Sequence, residues 1–405
     1  MRFAILFAFG LCTVSAALAQ LTWSPCTMPL NTLTDLAMGP NGELVTFLTT
    51  NPIQPMVSTD QGETWQTHPG AGGPNGIALM NTSLHVSITG TILLWGTNGA
   101  VGDVWRSNDG GNTFTQVGST NGIPASGFFM GFASSPWGDL YLYGDGVLRS
   151  TDDGQTWSNI VPETTFIDVL TASTTSIFGM HLGVLYQGGV DGAGFAAINT
   201  GGTDVTNGQG LARGLDQRIV AVGGADRVIT STDDGSTWQT ANAGLSSTPT
   251  EFQHVAASVV AERWVIGKQI SVRYTDDAGA TWQTAETGLG LAQNEPIQAI
   301  FCDSAGTFYL YGYFHLYRSN ISTGIDVSPL EKEEGIMFPN PTDGALRLPS
   351  SFTGQTCQVI DAAGREVMRS AVGYDGILDL SVLEEGRYAL RSADGARVVS
   401  VHIIH

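Results

Sequence analysis

Cysteine is scarce. The 405 residues contain 4, and one of these, Cys12, falls in the first twenty. The other three, Cys26, Cys302 and Cys357, form an odd set without C-x-x-C spacing, which indicates neither a disulfide framework nor a zinc site. Basic residues are scarce too: 17 Lys and Arg stand against 37 Asp and Glu, a net charge of −20. Such a chain repels phosphate backbones and anionic lipid surfaces at long range, so nucleic acid is not an expected partner. Beyond the N-terminus no apolar run nears the ~18 residues of a membrane span. The 7 histidines are thinly spread and no G-x-S-x-G occurs, so serine and cysteine hydrolase patterns are missing. No metal or cofactor is expected.

Glycine, by contrast, is abundant at 52 residues, and 42% of the chain is hydrophobic. That is the composition of a turn-rich chain able to bury a core. Its length allows two or three domains or one large closed one. The N-terminus "MRFAILFAFGLCTVSAALAQ" has one basic residue (Arg2), an apolar run from Phe3 to Leu11, and the A-x-A site Ala17-Leu18-Ala19. Residues 1–19 read as a secretory signal peptide. Leu11 stands where a lipoprotein signal needs a small residue, so no lipid anchor is expected.

One octet recurs: "STDQGETW" from Ser58, "SNDGGNTF" from Ser107, "STDDGQTW" from Ser150, "STDDGSTW" from Ser231 and "TDDAGATW" from Thr275. Its acidic residues Asp60, Asp109, Asp152, Asp233 and Asp277 are spaced by 49, 43, 81 and 44 residues. The 81 is two steps with one copy lost, and "LYQGGVDGAGF" (185–195) fills the gap while keeping only turn residues and an aromatic. A further decayed copy, "LYRSNISTGI", contains Ser319 and Gly324. Before each octet come three short apolar runs bounded by Gly or Asp, such as "FFMGFAS", "DLYLYGD" and "VLRS". Such runs are strands. Four strands in each of seven repeats predict an all-β, seven-bladed β-propeller over residues 20–326.

Inside the octet, the Asp carboxylate and the Ser or Thr hydroxyl can accept hydrogen bonds from amides of their own turn. The glycines Gly62, Gly111, Gly154, Gly235 and Gly279 supply a backbone angle closed to other residues. The aromatics Trp65, Phe114, Trp157, Trp238 and Trp282 are expected to start the outer strand and pack beside the next blade. The seventh repeat lacks its Thr-Trp, whereas the mature chain opens with an orphan Thr22-Trp23, so the first strand should complete the last blade. That puts Cys26 and Cys302 on the outer and inner strands of one blade.

These octets resemble the Asp-box, or BNR repeat, of sialidases, sortilin-type receptors and related propellers. The resemblance implies the propeller fold and places the boxes away from the ligand face, as structural elements rather than catalytic ones. A sialidase-like glycoside hydrolase acting on extracellular glycans is the alternative reading. It would need an arginine cluster and an acid–nucleophile set. Arg106, Arg149 and Arg318 each precede a box Ser and Arg273 lies two before Thr275, a repeat position that marks them as structural; Arg213, Arg218, Arg227 and Arg263 remain.

The repeat stops at a charged linker, residues 327–335. Residues 336–405 contain "FPNPTDG", "VIDAAGREV" and "LDLSVLEEGRY", short strands compatible with a small immunoglobulin-like β-sandwich. The three elements in this order resemble the type A sorting domain of the type IX secretion system. That resemblance implies a partner, the secretion machinery, and export via the periplasm of a Bacteroidetes-type cell to the outer-membrane surface or the medium. The chain therefore reads as a secreted or cell-surface propeller that binds an extracellular glycan or protein. Candidate ligand-face residues lie in the turns between second and third strands: Asp145, His181, Asp226, Arg227, Lys268, Tyr313, Phe314 and His315. Trp95, Trp137 and Tyr313 are candidate stacking platforms for sugars.

Overall fold

A computed structural model describes residues 20–27, 35–75, 80–97, 102–201, 205, 208, 210–223, 227–245, 252–268, 271–291, 296–312, 315–321, 345–348, 356–361, 366–373, 377–392 and 398–403. The expected signal peptide and linker lie outside these residues. Among the described residues the chain is all-β, with no helix beyond two 3₁₀ turns, Ser119–Asn121 and Leu215–Gln217. Between Leu21 and Ile321 it forms seven antiparallel sheets, six of four strands and one of three. In chain order they cover residues 36–67, 80–117, 129–166, 169–197, 210–240, 254–284 and 297–321, and are called here the first to the seventh sheet.

Burial grades across each sheet and explains the sequence pattern. The second strands are buried almost throughout, Ile219–Gly223 ("IVAVG") and Phe308–Gly312 ("FYLYG") at every position, because both their faces meet a neighbouring sheet. A strand covered on both sides reads as an unbroken apolar run. Outer strands such as Gln66–Thr67 and Gln239–Thr240 are two exposed polar residues each. So short an edge offers little to aggregation.

Seven hydrophobic clusters join these sheets in series. Phe47 and Ile53 of the first sheet pack with Leu84 and Leu94 of the second, and Leu93 and Trp95 of the second with Phe129 and Leu140 of the third. The third meets the fourth through Tyr141 and Ile177, the fourth the fifth through Phe178 and Ile219, and the fifth the sixth through Val220 and Trp264. The sixth meets the seventh through Val265 and Phe308, and Tyr309 of the seventh packs on Leu36 and Leu44 of the first.

The strand Leu21–Cys26 pairs with Leu316–Ile321, Trp23 opposite Ser319, and supplies the outer strand of the seventh sheet. Trp23 is buried in the seam with the sixth sheet, its indole nitrogen donating to the Ala285 carbonyl at 2.8 Å. Cys26 and Cys302 lie on the outer and inner strands of that sheet as free thiols. Burial pushes them up to about 11 and about 12, which keeps both protonated.

Toward the C-terminus, a four-stranded sheet (Thr356–Asp361, Glu366–Ala371, Gly386–Ser392, Val398–Ile403) and a two-stranded one (Ala345–Arg347, Ile377–Asp379) share one core. Leu346, Val359, Leu378 and Leu390 sit at its centre.

Candidate functional site

The five octets form one turn repeated. In each, the Ser or Thr hydroxyl donates to the Asp carboxylate at 2.6–2.8 Å and accepts the glycine amide at 2.8–2.9 Å. The Asp in turn accepts the amide of the following Thr at 2.8–2.9 Å and its hydroxyl at 2.5–2.7 Å. Asp60 is held down near about 2, first by the Thr64 hydroxyl, then by the Thr64 amide and Ser58. At Asp109, Asp152 and Asp277 burial pushes upward, but the hydrogen bonds together outweigh it and the net shift is down. Asp233 is lowered chiefly by the Thr237 hydroxyl. These carboxylates are saturated by their own turns.

Two successive residues of each turn are left-handed, for example Asp153 and Gly154 at φ 59° and 83°, or Ala278 and Gly279 at 55° and 86°. This bend carries the turn back onto the preceding sheet, not the next one. A Cβ on Gly154 would stand 2.7 Å from Leu93, and one on Gly111 2.7 Å from Pro55. The aromatic ends one residue before the outer strand and is delivered to the same seam: Phe114 to the first sheet, Trp157 to the second, Trp238 to the fourth and Trp282 to the fifth. The expectation of packing beside the following blade is therefore corrected. In the decayed fourth copy Phe195 takes the Trp place, stacked on Tyr186 with ring centroids 5.7 Å apart.

The arginines at the box position reach between sheets as well. Arg106 of the second sheet binds Asp153 of the third at 2.9 Å, and Arg318 of the seventh binds Gln61 and Glu63 of the first at 3.1 and 2.9 Å. Arg149, facing the position where the fourth octet is lost, turns instead to Asp139 of its own sheet at 2.7 Å. Arg218 pairs with Glu262 at 3.5 Å and lies over Trp264, while Arg263 pairs with Asp276.

Each third strand runs from the second-to-third turn down to its octet, so those turns lie at the opposite end of every sheet. His181 is there, and so is Asp145, where the run Leu140–Ser150 passes from pairing with the first strand to pairing with the outer one and folds back so that Arg149 reaches Asp139. Asp145 pairs in register with Phe166, and its carboxylate accepts the Phe128 amide at 2.9 Å. His181 Nδ1 meets Asp168 Oδ2 at 2.9 Å, and the same oxygen accepts the Leu182 amide at 3.1 Å. The rings of Phe128 and Phe166 stack at 6.3 Å, and His181 meets Phe166 edge-on at 5.3 Å. These two neighbouring turns are thus joined in one surface.

The other candidates are apart from it. Lys268 closes the second strand of the sixth sheet, paired with Ser271, and Arg227 opens the third strand of the fifth, paired with Gly223. His315 stacks on Tyr317 at 5.8 Å in the seventh sheet. Asp226, Tyr313 and Phe314 lie outside the described residues. Trp95 is fully buried between the second and third sheets, because its strand is covered on both faces, so it offers no platform to a sugar. Trp137 lies in the turn between the first and second strands of the third sheet, at the octet end.

Sequence reasoning missed Phe128, Phe166, Asp168 and Leu182. The one visible signal was a Leu where "HLG" makes a tight turn. Near the same end Asp35 is raised to about 6 by burial, against the pull of the Leu84 and Leu36 amides that bind it. The Tyr143 phenol is pushed up by burial and then by Asp35 and Asp168. Among the described residues no cluster of His, Cys, Asp and Glu is placed to hold a metal, and no helix is long and apolar enough to cross a membrane.

Comparison with known proteins agrees with this geometry. Solved structures similar in fold include "YCF48 bound to D1 peptide" (14% identity, TM-score 0.54, 74% of this chain and 97% of that one) and "Streptogramin B lyase structure" (15%, 0.53, 74% and 97%). The WD40 β-propeller domain of Doa1 is a third (11%, 0.53, 74% and 96%). The repeating part is a β-propeller. Residues 56–67 match the "BNR/Asp-box repeat" family and residues 336–405 the "Secretion system C-terminal sorting domain". The chain thus combines a β-propeller fold and an Asp-box repeat match with a C-terminal segment that matches a secretion-system sorting domain, and such a segment implies export to the outer-membrane surface or the medium. No curated protein matches it in sequence.

Proposed function

We propose that residues 20–326 form a closed seven-bladed propeller that acts outside the cell as a binding module. Residues 1–19 are its signal peptide, residues 327–335 the linker, and residues 336–405 an immunoglobulin-like domain that carries the chain from the periplasm through the outer membrane of a Bacteroidetes-type cell. The series of hydrophobic clusters that returns to the first sheet, together with the strand Leu21–Cys26 in the seventh, supports closure.

The observation that carries the binding reading is the ring surface of Phe128, Phe166 and His181 at the end remote from the octets. Part-exposed aromatic groups on a rigid frame suit a recognition surface, since such rings contribute contact area at little entropic cost. One structural relative is described as bound to a peptide. The test is to screen the mature chain against a glycan array and a peptide library beside a panel of fluorogenic glycosides. Saturable binding without turnover is expected. Glycoside turnover that survives repurification would replace the reading with a hydrolase.

A further inference from the structure

The turn His181-Leu182-Gly183-Val184 joins two strands with a two-residue loop, and both central residues are left-handed, Leu182 at φ 48° and Gly183 at 79°. Such a turn normally takes Asn or Gly. Leu182 is strained there and also 67% exposed, and its neighbour Val184 is 44% exposed. Neither packing nor solubility requires an apolar side chain at this tip; backbone strain of this kind is a pointer to function. Beside it lie the stacked rings of Phe166 and Phe128, the latter 37% exposed. Two carboxylates fix the surface from behind: Asp145 holds the Phe128 amide, and Asp168 the Leu182 amide and His181. The apolar groups are therefore presented in one arrangement before any ligand arrives.

Charge identifies the occupant. Arg149 is the one Lys or Arg in residues 118–205, and it is tied to Asp139 at the octet end. Asp145 and Asp168 stand beside the rings at this end, and Glu163, three residues before Phe166 on the same strand, is exposed. Arg227 and Lys268, on the fifth and sixth sheets, belong to other turns at this end. Because the nearest carboxylates are already engaged by backbone amides, a sugar would find few convergent polar partners.

We propose that this surface docks a polypeptide segment in which Lys or Arg adjoins an apolar side chain. Leu182 and the two Phe rings take the apolar group, the rings receive the cation on their faces, and the acidic rim steers the approach. This rests on the reading of the propeller as a binding module and narrows its ligand to polypeptide.

The probes are three sets of synthetic peptides in which Leu and Phe alternate with Lys and Arg, with Ser, or with Glu. Fluorescence anisotropy with the mature full-length chain should show the basic set binding about tenfold or more tighter than the Ser set, with the Glu set weakest. Leu182→Gly, which relieves the left-handed strain, should weaken binding about tenfold with a melting temperature equal to or above that of the parent. Glu163→Gln should reduce the preference for basic peptides and leave the Ser set unchanged. Equal affinity of the three sets, or full affinity in Leu182→Gly, overturns the proposal. So does self-association that Leu182→Gly abolishes, which would assign the surface to a second copy. Glycan binding indifferent to Leu182→Gly, with no peptide bound, overturns this inference and leaves the binding-module reading standing; glycoside turnover removes that reading itself.

Discussion

The octet is specified residue by residue. Ser150 is buried and its hydroxyl is the partner of the Gly154 amide, so Ser150→Ala leaves that amide buried and unpaired. A loss of about 1–3 kcal/mol is expected. Asp152→Ala removes the acceptor for the Thr156 amide and hydroxyl in a more exposed position, and should cost about 1–2 kcal/mol. Urea unfolding of both variants checks the order, and ligand binding should be unchanged in each. Loss of binding with an unchanged midpoint would overturn the structural role of the octet. Gly154→Ala should do worse than either, since a Cβ there meets Leu93 and the residue is left-handed. These roles were legible in the sequence because a turn's hydrogen bonds are local. The direction in which the aromatic packs was not, since it depends on two consecutive left-handed residues whose effect is seen only against the preceding sheet.

At the scale of one strand, Leu21–Cys26 is the sharpest test. Trp23→Ala removes the largest side chain in the seam between sixth and seventh sheets and should cost about 3–5 kcal/mol. Deleting residues 20–27 bares the edge of Leu316–Ile321 along six paired positions and should promote association, read by light scattering. A synthetic peptide of residues 20–32 added in trans should recover part of the lost melting temperature. A deletion that melts with the parent and stays monomeric would show that this strand does not close the structure. The orphan Thr-Trp made this pairing readable, because it was a motif half without its other half. The ring surface of Phe128 and Phe166 had no such signature: it forms where the outer strand Ser158–Phe166 runs on to meet Asp145, a register no local pattern encodes.

Across the whole molecule, acid should be the chain's weakness. Burial holds His85 and His254 down to about 4, against the opposing pull of Asp153 on the first and the Ile297 backbone on the second. Their folded values lie below the unfolded one, so the unfolded chain binds protons first and stability falls as pH drops from ~6.5 toward ~4, by about 3 kcal/mol for each. Asp35, raised to about 6, works the other way and returns part of this as its carboxyl is protonated. Urea midpoints should therefore decline from pH 6.5 to 4.5, and His85→Gln should flatten the slope. An unchanged slope would mean that His85 does not stay neutral in the fold. Removing residues 336–405 should leave a folded chain stranded in the periplasm, checked by fractionation and circular dichroism; normal export of the truncated chain would deny these residues their sorting role. The pairing of Leu21–Cys26 with Leu316–Ile321 also sets a schedule. Leu21–Cys26 leaves the ribosome long before Leu316–Ile321 is made, so for most of synthesis this strand has no edge to pair with and the seventh sheet lacks its other three strands.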